Sequence, residues 1–179
     1  MTMMKRRVLV VVFSAIASVF GVYADGGEGG VEAALVTYSD ASQKFSIGHP
    51  GPWSRDTAFK GVVKFSGGDD SMTLELIRLE AGISMTAYAS NDAKTLASSV
   101  PGFRSLGIAA SQDIRSAIIL GFEASGSSQV TGKSYTAHDE RYYIPEPDGR
   151  VAVLTLMGPA RNYDREGFRD IALSLRIKK

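Results

Sequence analysis

The chain has 179 residues, 44% of them hydrophobic, and carries 20 lysines and arginines against 19 aspartates and glutamates. This near balance of charge argues against the strongly basic surface of a nucleic-acid-binding protein. The chain has no cysteine, which excludes disulfides, thiolate metal sites and lipid attachment through an N-terminal cysteine.

The first residues predict a secretory signal peptide over residues 1–24. Lys5, Arg6 and Arg7 precede an apolar run over residues 8–20, and a small-residue cleavage motif ends at Ala24. The apolar run is shorter than the roughly 20 residues that span a bilayer. We therefore expect cleavage after Ala24 and a soluble protein, without a membrane span, in the periplasm or outside the cell. Cleavage leaves 17 basic residues against 19 acidic ones.

The mature chain is expected to begin with a flexible leader over residues 25–34, which starts DGGEGG. A single domain is predicted over residues 35–179. Its first half contains two predicted hairpins, because four short segments alternate apolar and polar residues around the turns DASQ and GGDD. These segments are LVTYSD, KFSIGHP, GVVKFSG and SMTLELIRLE.

The second half of the domain combines helices with longer strands. Apolar spacing predicts a helix over residues 85–99, capped by Ser84. Four long strands then follow over residues 103–158, separated by turns that are rich in glycine or proline. A second helix is predicted over residues 161–172 and a last short strand over residues 173–177. This order, without a βαβ repeat, predicts an α+β fold with an antiparallel sheet flanked by helices.

The stretch FSIGHPGPW begins as a strand and stops abruptly. Pro50 and Pro52 cannot donate to a sheet ladder, so they end the strand and turn the chain around a corner. The only tryptophan, Trp53, follows at once, where a large ring covers the end of an apolar layer. We interpret Trp53 as a packing residue, and stacking on a ligand is the alternative.

Ten residues across the predicted domain follow a recognisable order: Tyr38, Phe45, Ile47, Pro50, Trp53, Tyr88, Phe168, Ile171, Ser174 and Leu175. This order resembles the PsbP-like and Mog1-like group of α/β/α sandwiches. The resemblance implies a non-enzymatic accessory or binding protein, and the signal peptide implies a bacterial exported member. The best-known relative is the extrinsic subunit of photosystem II, but its cyanobacterial forms are lipoproteins, and the missing cysteine argues against that role here.

Two segments look like known ligand-binding loops. GSSQVTGKS, residues 126–134, ends like a phosphate loop, but its glycine spacing is wrong and it joins two predicted strands, so we interpret it as a hairpin loop. GGDD, residues 67–70, has too few carboxylates for an EF-hand calcium loop and is interpreted as a turn.

His138 and Glu140 are the strongest candidates for site chemistry. In a strand, they share one face with Thr136 and Tyr142, while Asp139 and Arg141 share the other. The pair could form part of a mixed nitrogen and oxygen metal site. The ordinary alternative is a solvent-exposed polar face.

No nucleophile motif is present, and a triad whose members meet only in space is not excluded by sequence. We therefore expect no enzyme activity, no cofactor, and no catalytic, cofactor-binding or metal-ligating residues. The predicted function is an exported accessory or protein-interaction domain whose partner is an envelope protein or complex. The alternative is a small-ligand or metal-binding module that uses the His138 and Glu140 face or a pocket near Trp53.

Overall fold

The computed structural model describes residues 34–57, 61–114, 116–128 and 130–177. The predicted signal peptide, and the predicted leader apart from Ala34, lie outside the described residues. Among the described residues, no helix is long and apolar enough to cross a bilayer.

The described residues form two antiparallel sheets and two α-helices. A three-stranded sheet has the order β1-β2-β10, and a seven-stranded sheet has the order β3-β4-β5-β9-β8-β7-β6. The strands are β1 (Leu35–Asp40), β2 (Phe45–Pro50), β3 (Ser54–Asp56), β4 (Val62–Gly67), β5 (Asp70–Arg78), β6 (Arg104–Ala110), β7 (Ile118–Ser127), β8 (Ser134–Pro145), β9 (Arg150–Pro159) and β10 (Arg176–Ile177).

The first helix, α1 (Met85–Ser99), agrees with its prediction. The Ser84 side chain accepts a hydrogen bond from the Ala87 amide at 3.2 Å and caps the helix. Its apolar side packs on one face of the large sheet, against a core that includes Leu120, Phe122 and Tyr143. This core forms the first of two apolar layers.

The second helix, α2 (Arg165–Ser174), starts four residues later than predicted. A 3₁₀ turn (Ala160–Asn162) precedes it, and the Asp164 side chain then accepts a hydrogen bond from the Gly167 amide at 3.0 Å, which starts a new helix. The helix also continues through Ser174, so the last strand contains only Arg176 and Ile177 and not the five residues predicted.

The second apolar layer lies on the opposite face of the large sheet. Phe45 and Ile47 of β2 and Phe168 and Ile171 of α2 cover it, together with buried residues of β4, β5, β8 and β9. The α+β fold class is therefore confirmed, with helices on both sides of the large sheet.

The sequence did not predict that the strands divide between two sheets. The turn at Pro50–Trp53, closed by a hydrogen bond from the Trp53 amide to the Pro50 carbonyl at 3.0 Å, carries the chain from the small sheet to the large one. It leads into β3, which the sequence also did not predict, because three polar residues show no alternation.

Candidate functional site

Strand β8 places polar side chains against both helices, and those on the α2 side form the α2-face cluster. His138, Glu140 and Tyr142 come from alternate positions of β8, while Tyr163 and Arg165 come from the start of α2 and the residues before it. Glu140 is 9% exposed and Tyr142 is 5% exposed. This face was expected to be solvent-exposed if it had no site, and the structure corrects that expectation because α2 and the 3₁₀ turn lie over it.

Glu140 lies close to three other side chains of the α2-face cluster. The Tyr142 hydroxyl donates to Glu140 Oε2 at 2.7 Å, and Arg165 Nε lies 3.5 Å from Glu140 Oε1. His138 Nε2 lies 3.9 Å from the same Oε1 atom. A buried carboxylate needs such partners, since an unpaired buried charge is strongly destabilising. The sequence therefore predicted correctly that His138 and Glu140 lie side by side, but it did not predict the partners that they contact.

His138 and Tyr163 lie side by side, with ring centroids 4.2 Å apart. His138 Nε2 and the Tyr163 hydroxyl are both buried without a hydrogen-bond partner among the described residues. Burial is the main reason why the pKa of Tyr163 is raised far above its usual value, and the nearby Glu140 carboxylate adds to the effect. The Tyr163 hydroxyl therefore keeps its proton at neutral pH, which does not favour it as a base or nucleophile.

Gly158 provides the space for an acidic side chain beside this cluster. It pairs with His138 across the sheet, and a Cβ atom at this glycine would lie 2.5 Å from Asp70 Oδ1 and 3.2 Å from the Phe168 ring. Burial, followed by the nearby Asp164 and Asp69 carboxylates, raises the pKa of Asp70 to about 6. Within the described ranges, however, no three His, Asp or Glu side chains are grouped as metal ligands would be.

The opposite face of β8 forms a second set of charges, the α1-face cluster of Glu75, Asp92, Arg141 and Tyr143. Arg141 Nε lies 2.8 Å from Asp92 Oδ2, and Arg141 Nη2 lies 3.4 Å from Glu75 Oε1. The Tyr143 hydroxyl donates to Asp92 Oδ2 at 2.7 Å. The three charged side chains are only 15–24% exposed. This cluster joins α1 to the large sheet, and sequence reasoning missed it because its members lie far apart along the chain.

Two clefts open beside α2. One, of about 350 Å³, has Glu140 and Tyr142 in its wall together with Arg165, Arg169 and Asp113. The other, of about 300 Å³, also borders Asp113 and continues along α2 to Arg176. Trp53 lines neither of these clefts.

Comparison by sequence with protein-family profiles and with curated proteins finds no match. Comparison by structure finds proteins with a similar fold. Cyanobacterial PsbP (CyanoP) from Synechocystis gives a TM-score of 0.58 at 19% identity, over 86% of this chain and 98% of the cyanobacterial one. The Ran-binding protein Mog1p from Saccharomyces cerevisiae gives a TM-score of 0.56 at 8% identity, over 81% and 96% of the two chains. The chain has the PsbP/Mog1-like fold.

The residues that carried the resemblance are packing residues of the PsbP/Mog1-like fold. The Tyr38 ring contacts Phe65 edge to face, with centroids 5.4 Å apart. Ser174 Oγ accepts a hydrogen bond from the Gly48 amide at 2.7 Å and so joins α2 to β2. These contacts explain why the resemblance indicated the fold and not a reaction.

Trp53 is also a packing residue of this fold, as interpreted from the sequence. Its ring lies over Gly67, where a Cβ atom would collide with the indole, and edge to face with Phe168 at 6.2 Å between centroids. The phosphate-loop-like sequence runs from the last residues of β7 to the first residue of β8, two paired antiparallel strands. The hairpin interpretation of the phosphate-loop-like sequence is therefore correct, since a phosphate loop leads from a strand into a helix.

Proposed function

We propose that this protein is a non-catalytic binding domain that is exported and acts on a protein partner in the bacterial envelope. The observation that carries the proposal is that four polar side chains of β8 contact one another or the two helices. They are Glu140, Arg141, Tyr142 and Tyr143. Glu140, the candidate acid on the α2 side of β8, is occupied by Tyr142 and Arg165. Charges used in this way hold helices in place, which suits a rigid surface that acts by contact.

The fold supports the same proposal by analogy. Mog1p, which shares the fold, is a Ran-binding protein, so this architecture serves protein recognition elsewhere. Fold-level analogy alone does not assign a partner. The basic and apolar pattern of residues 1–24 supports export, and a bacterial exported protein meets its partners in the envelope or outside the cell.

Crosslinking in the native host tests both halves of the proposal. A tagged copy of the protein, crosslinked in living cells and purified under denaturing conditions, should retain one envelope protein in near-stoichiometric amount. Its processed N-terminus should be Asp25, as read by N-terminal sequencing. Recovery with Met1 intact would contradict export, and recovery of the protein alone from the envelope would contradict partner binding.

Substitutions that remove acid, base and ligand atoms should leave partner capture and cellular phenotype unchanged. His138→Phe keeps a ring against Tyr163 but removes both nitrogens, and Glu140→Gln keeps the acceptor for the Tyr142 hydroxyl but removes the charge. Circular dichroism melts provide the folding control. If either variant stays folded yet loses the phenotype of the wild type, an acid/base or metal site at this face replaces the contact account.

Binding of a small ligand or a metal ion at the α2-face cluster is the second candidate function. The unpartnered His138 Nε2 and Tyr163 hydroxyl favour it, since buried polar atoms are usually satisfied by protein, water or an ion. A water molecule is the simplest guest, because an internal water commonly bridges several such atoms.

EDTA treatment distinguishes a bound water molecule from a bound metal ion in this cluster. We expect protein prepared without added metal to melt at the same temperature before and after EDTA, because a water guest does not depend on a chelatable ion. Differential scanning calorimetry measures this directly. A fall of several degrees, restored by one divalent metal, would assign the cluster to metal binding.

A further inference from the structure

The segment that leads into α2 is held to the sheet by few side chains. We call residues 160–168 the α2 start. None of residues 160–166 is fully buried, and Phe168 is the first buried side chain of the segment. The Tyr163 ring packs partly buried against the same apolar layer. A segment with so few buried apolar contacts opens locally at a small cost in free energy.

Asp70, the first residue of β5, lies against this segment. A Cβ atom at Gly158 of β9 would lie 2.5 Å from Asp70 Oδ1 and 3.2 Å from the Phe168 ring. The Asp70 carboxyl and the Phe168 ring therefore share the space that Gly158 leaves open. An acid thus lies beside the side chain that fixes the α2 start to the sheet.

The main charges that act on Asp70 are negative. Asp164 caps α2 by accepting a hydrogen bond from the Gly167 amide at 3.0 Å. Burial, followed by the carboxylates of Asp164 and Asp69, raises the pKa of Asp70 to about 6. The positive end of the α2 dipole attracts negative charge, but Asp164 already occupies that position. Loss of the Asp70 proton consequently adds a negative charge in a partly buried place, where water screens repulsion incompletely.

Two further titratable side chains near this place come from β8. Burial, followed by nearby carboxylates that include Asp70, raises the pKa of Tyr135, so its hydroxyl stays neutral. His138 pairs with Gly158 across the sheet, and its ring lies against Tyr163. Neither side chain carries a permanent positive charge that would offset ionised Asp70.

We propose that Asp70 is a pH-sensitive switch for the α2 start: protonated Asp70 allows this segment to close over β8, and ionised Asp70 repels Asp164 and loosens it. Since the α2 start covers the polar face of β8, loosening admits solvent to His138 and Glu140. The switch acts within the domain, so the inference goes beyond the proposed function and does not depend on a partner.

The pH range of the switch follows from the two states of Asp70. A solvated aspartate loses its proton near pH 4, whereas Asp70 in the closed structure keeps it until about pH 6. The closed form is therefore favoured most below pH 4, becomes less favoured as the pH rises from 4 to 6, and changes little above pH 7. The full effect on the ratio of open to closed forms is at most about 100-fold. Because Asp70 is partly exposed, we expect about tenfold.

Hydrogen exchange of single amides, followed by NMR on the ¹⁵N-labelled protein, tests the switch. The amides of Gly167 and Phe168 bond to the side chain and the carbonyl of Asp164. Their protection factors should fall about tenfold between pH 4 and pH 7. The matched reference is the start of α1, where the Ala87 and Tyr88 amides bond to a serine cap. Protection there should change less than about twofold.

The only tryptophan gives an independent measurement. The Trp53 ring lies edge to face with Phe168, with centroids 6.2 Å apart. Loosening of the α2 start should therefore shift the Trp53 emission to longer wavelength and increase its quenching by acrylamide as the pH rises from 4 to 7.

Two variants remove the charges of the switch and keep the shapes of the side chains. Asp70→Asn does not ionise, so the amides of Gly167 and Phe168 should keep the protection of the wild type at pH 4 up to pH 8. Asp164→Asn keeps an acceptor for the Gly167 amide but removes the repelling charge, and it should reduce the pH effect to less than about threefold.

Two control variants remove other titratable groups near the sheet. Asp139→Asn removes a buried acid whose ionisation affects the stability of the whole domain, and His138→Phe removes the imidazole beside the α2 start. Both should keep the tenfold pH effect at Gly167 and Phe168, because neither changes Asp70.

Three outcomes overturn the inference. The first is a pH effect on the Gly167 and Phe168 amides that persists in Asp70→Asn, and the second is its loss in either control variant. The third needs no variant: the carboxyl carbon of Asp70 in the wild type, followed by NMR, titrates near pH 4 as a solvated aspartate does.

Discussion

Replacing Arg141 with methionine is expected to cost about 3–5 kcal/mol of folding free energy, the range for removing one partner of a buried ion pair. Methionine fills the space of the aliphatic stem but leaves Asp92 and Glu75 facing each other in the α1-face cluster without their cation. Burial already raises the pKa of Glu75. The loss should therefore shrink as the pH falls toward 4, where the carboxyls accept protons. Urea denaturation at several pH values measures the effect.

Two controls show whether the charges cause this loss. Adding Asp92→Asn and Glu75→Gln to Arg141→Met should recover a large part of the stability, because no buried charge then remains unpaired. Arg104→Met, which breaks an exposed ion pair on the same sheet, should cost less than about 1 kcal/mol. An equal loss in the triple variant would mean that Arg141 contributes through packing and not through charge.

Strand β8 explains how the PsbP/Mog1-like fold fixes both of its helices. Arg141 joins it to Asp92 of α1 on one face, and Glu140 joins it to Arg165 of α2 on the other. These charged contacts add specific pairings of residues to the close packing of the apolar layers. Each helix is therefore joined to β8 by a polar contact as well as by apolar packing.

Local patterns in the sequence were sufficient for the elements whose reasons are local. The helix α1 followed from apolar spacing and the Ser84 cap, and the long strands followed from alternation. The start of α2 was misplaced because residues 161–164 continue the helical spacing. The side chain of Asp164 decides the boundary through its hydrogen bond to the Gly167 amide, and the same aspartate is equally compatible with a turn.

The candidate site could be predicted only in part because its partners are distant in sequence. Alternation placed His138 and Glu140 on one face of β8, which needs only the period of a strand. Whether that face is exposed depends on α2, and Arg165 reaches Glu140 across 25 positions of chain. Asp92 and Arg141 meet through the docking of α1, which no local pattern specifies. No local pattern in the sequence pointed to Gly158, because its role is to leave space for the side chain of Asp70.

Asp139 is a further buried ionisable group of β8, and among the described residues nothing fully compensates its charge. It is 5% exposed and lies between Phe122 of β7 and Met157 of β9. Its Oδ2 atom has no hydrogen-bond partner among the described residues. Burial raises the pKa of the Asp139 carboxyl to about 7, although Arg141 partly offsets this. The group therefore destabilises the folded protein whenever it must ionise.

Replacing Asp139 with asparagine is consequently expected to stabilise the protein at neutral and higher pH. An unfolded aspartate loses its proton near pH 4, but Asp139 in the folded protein keeps it until about pH 7. The folding free energy of the wild type therefore falls by up to about 1.4 kcal/mol per pH unit between these two pKa values. At pH 8 the total loss of stability is at most about 4 kcal/mol. Asparagine does not titrate, so the variant should be more stable than the wild type by about 1–3 kcal/mol at pH 8, with no advantage at pH 4.

Asp170→Asn, at an exposed position of α2, is the matched control and should change stability little at either pH. Urea denaturation at pH 4, 6 and 8 decides the matter, because a loss of stability in Asp139→Asn that grows as the pH rises would show that the ionised carboxylate is needed for the fold.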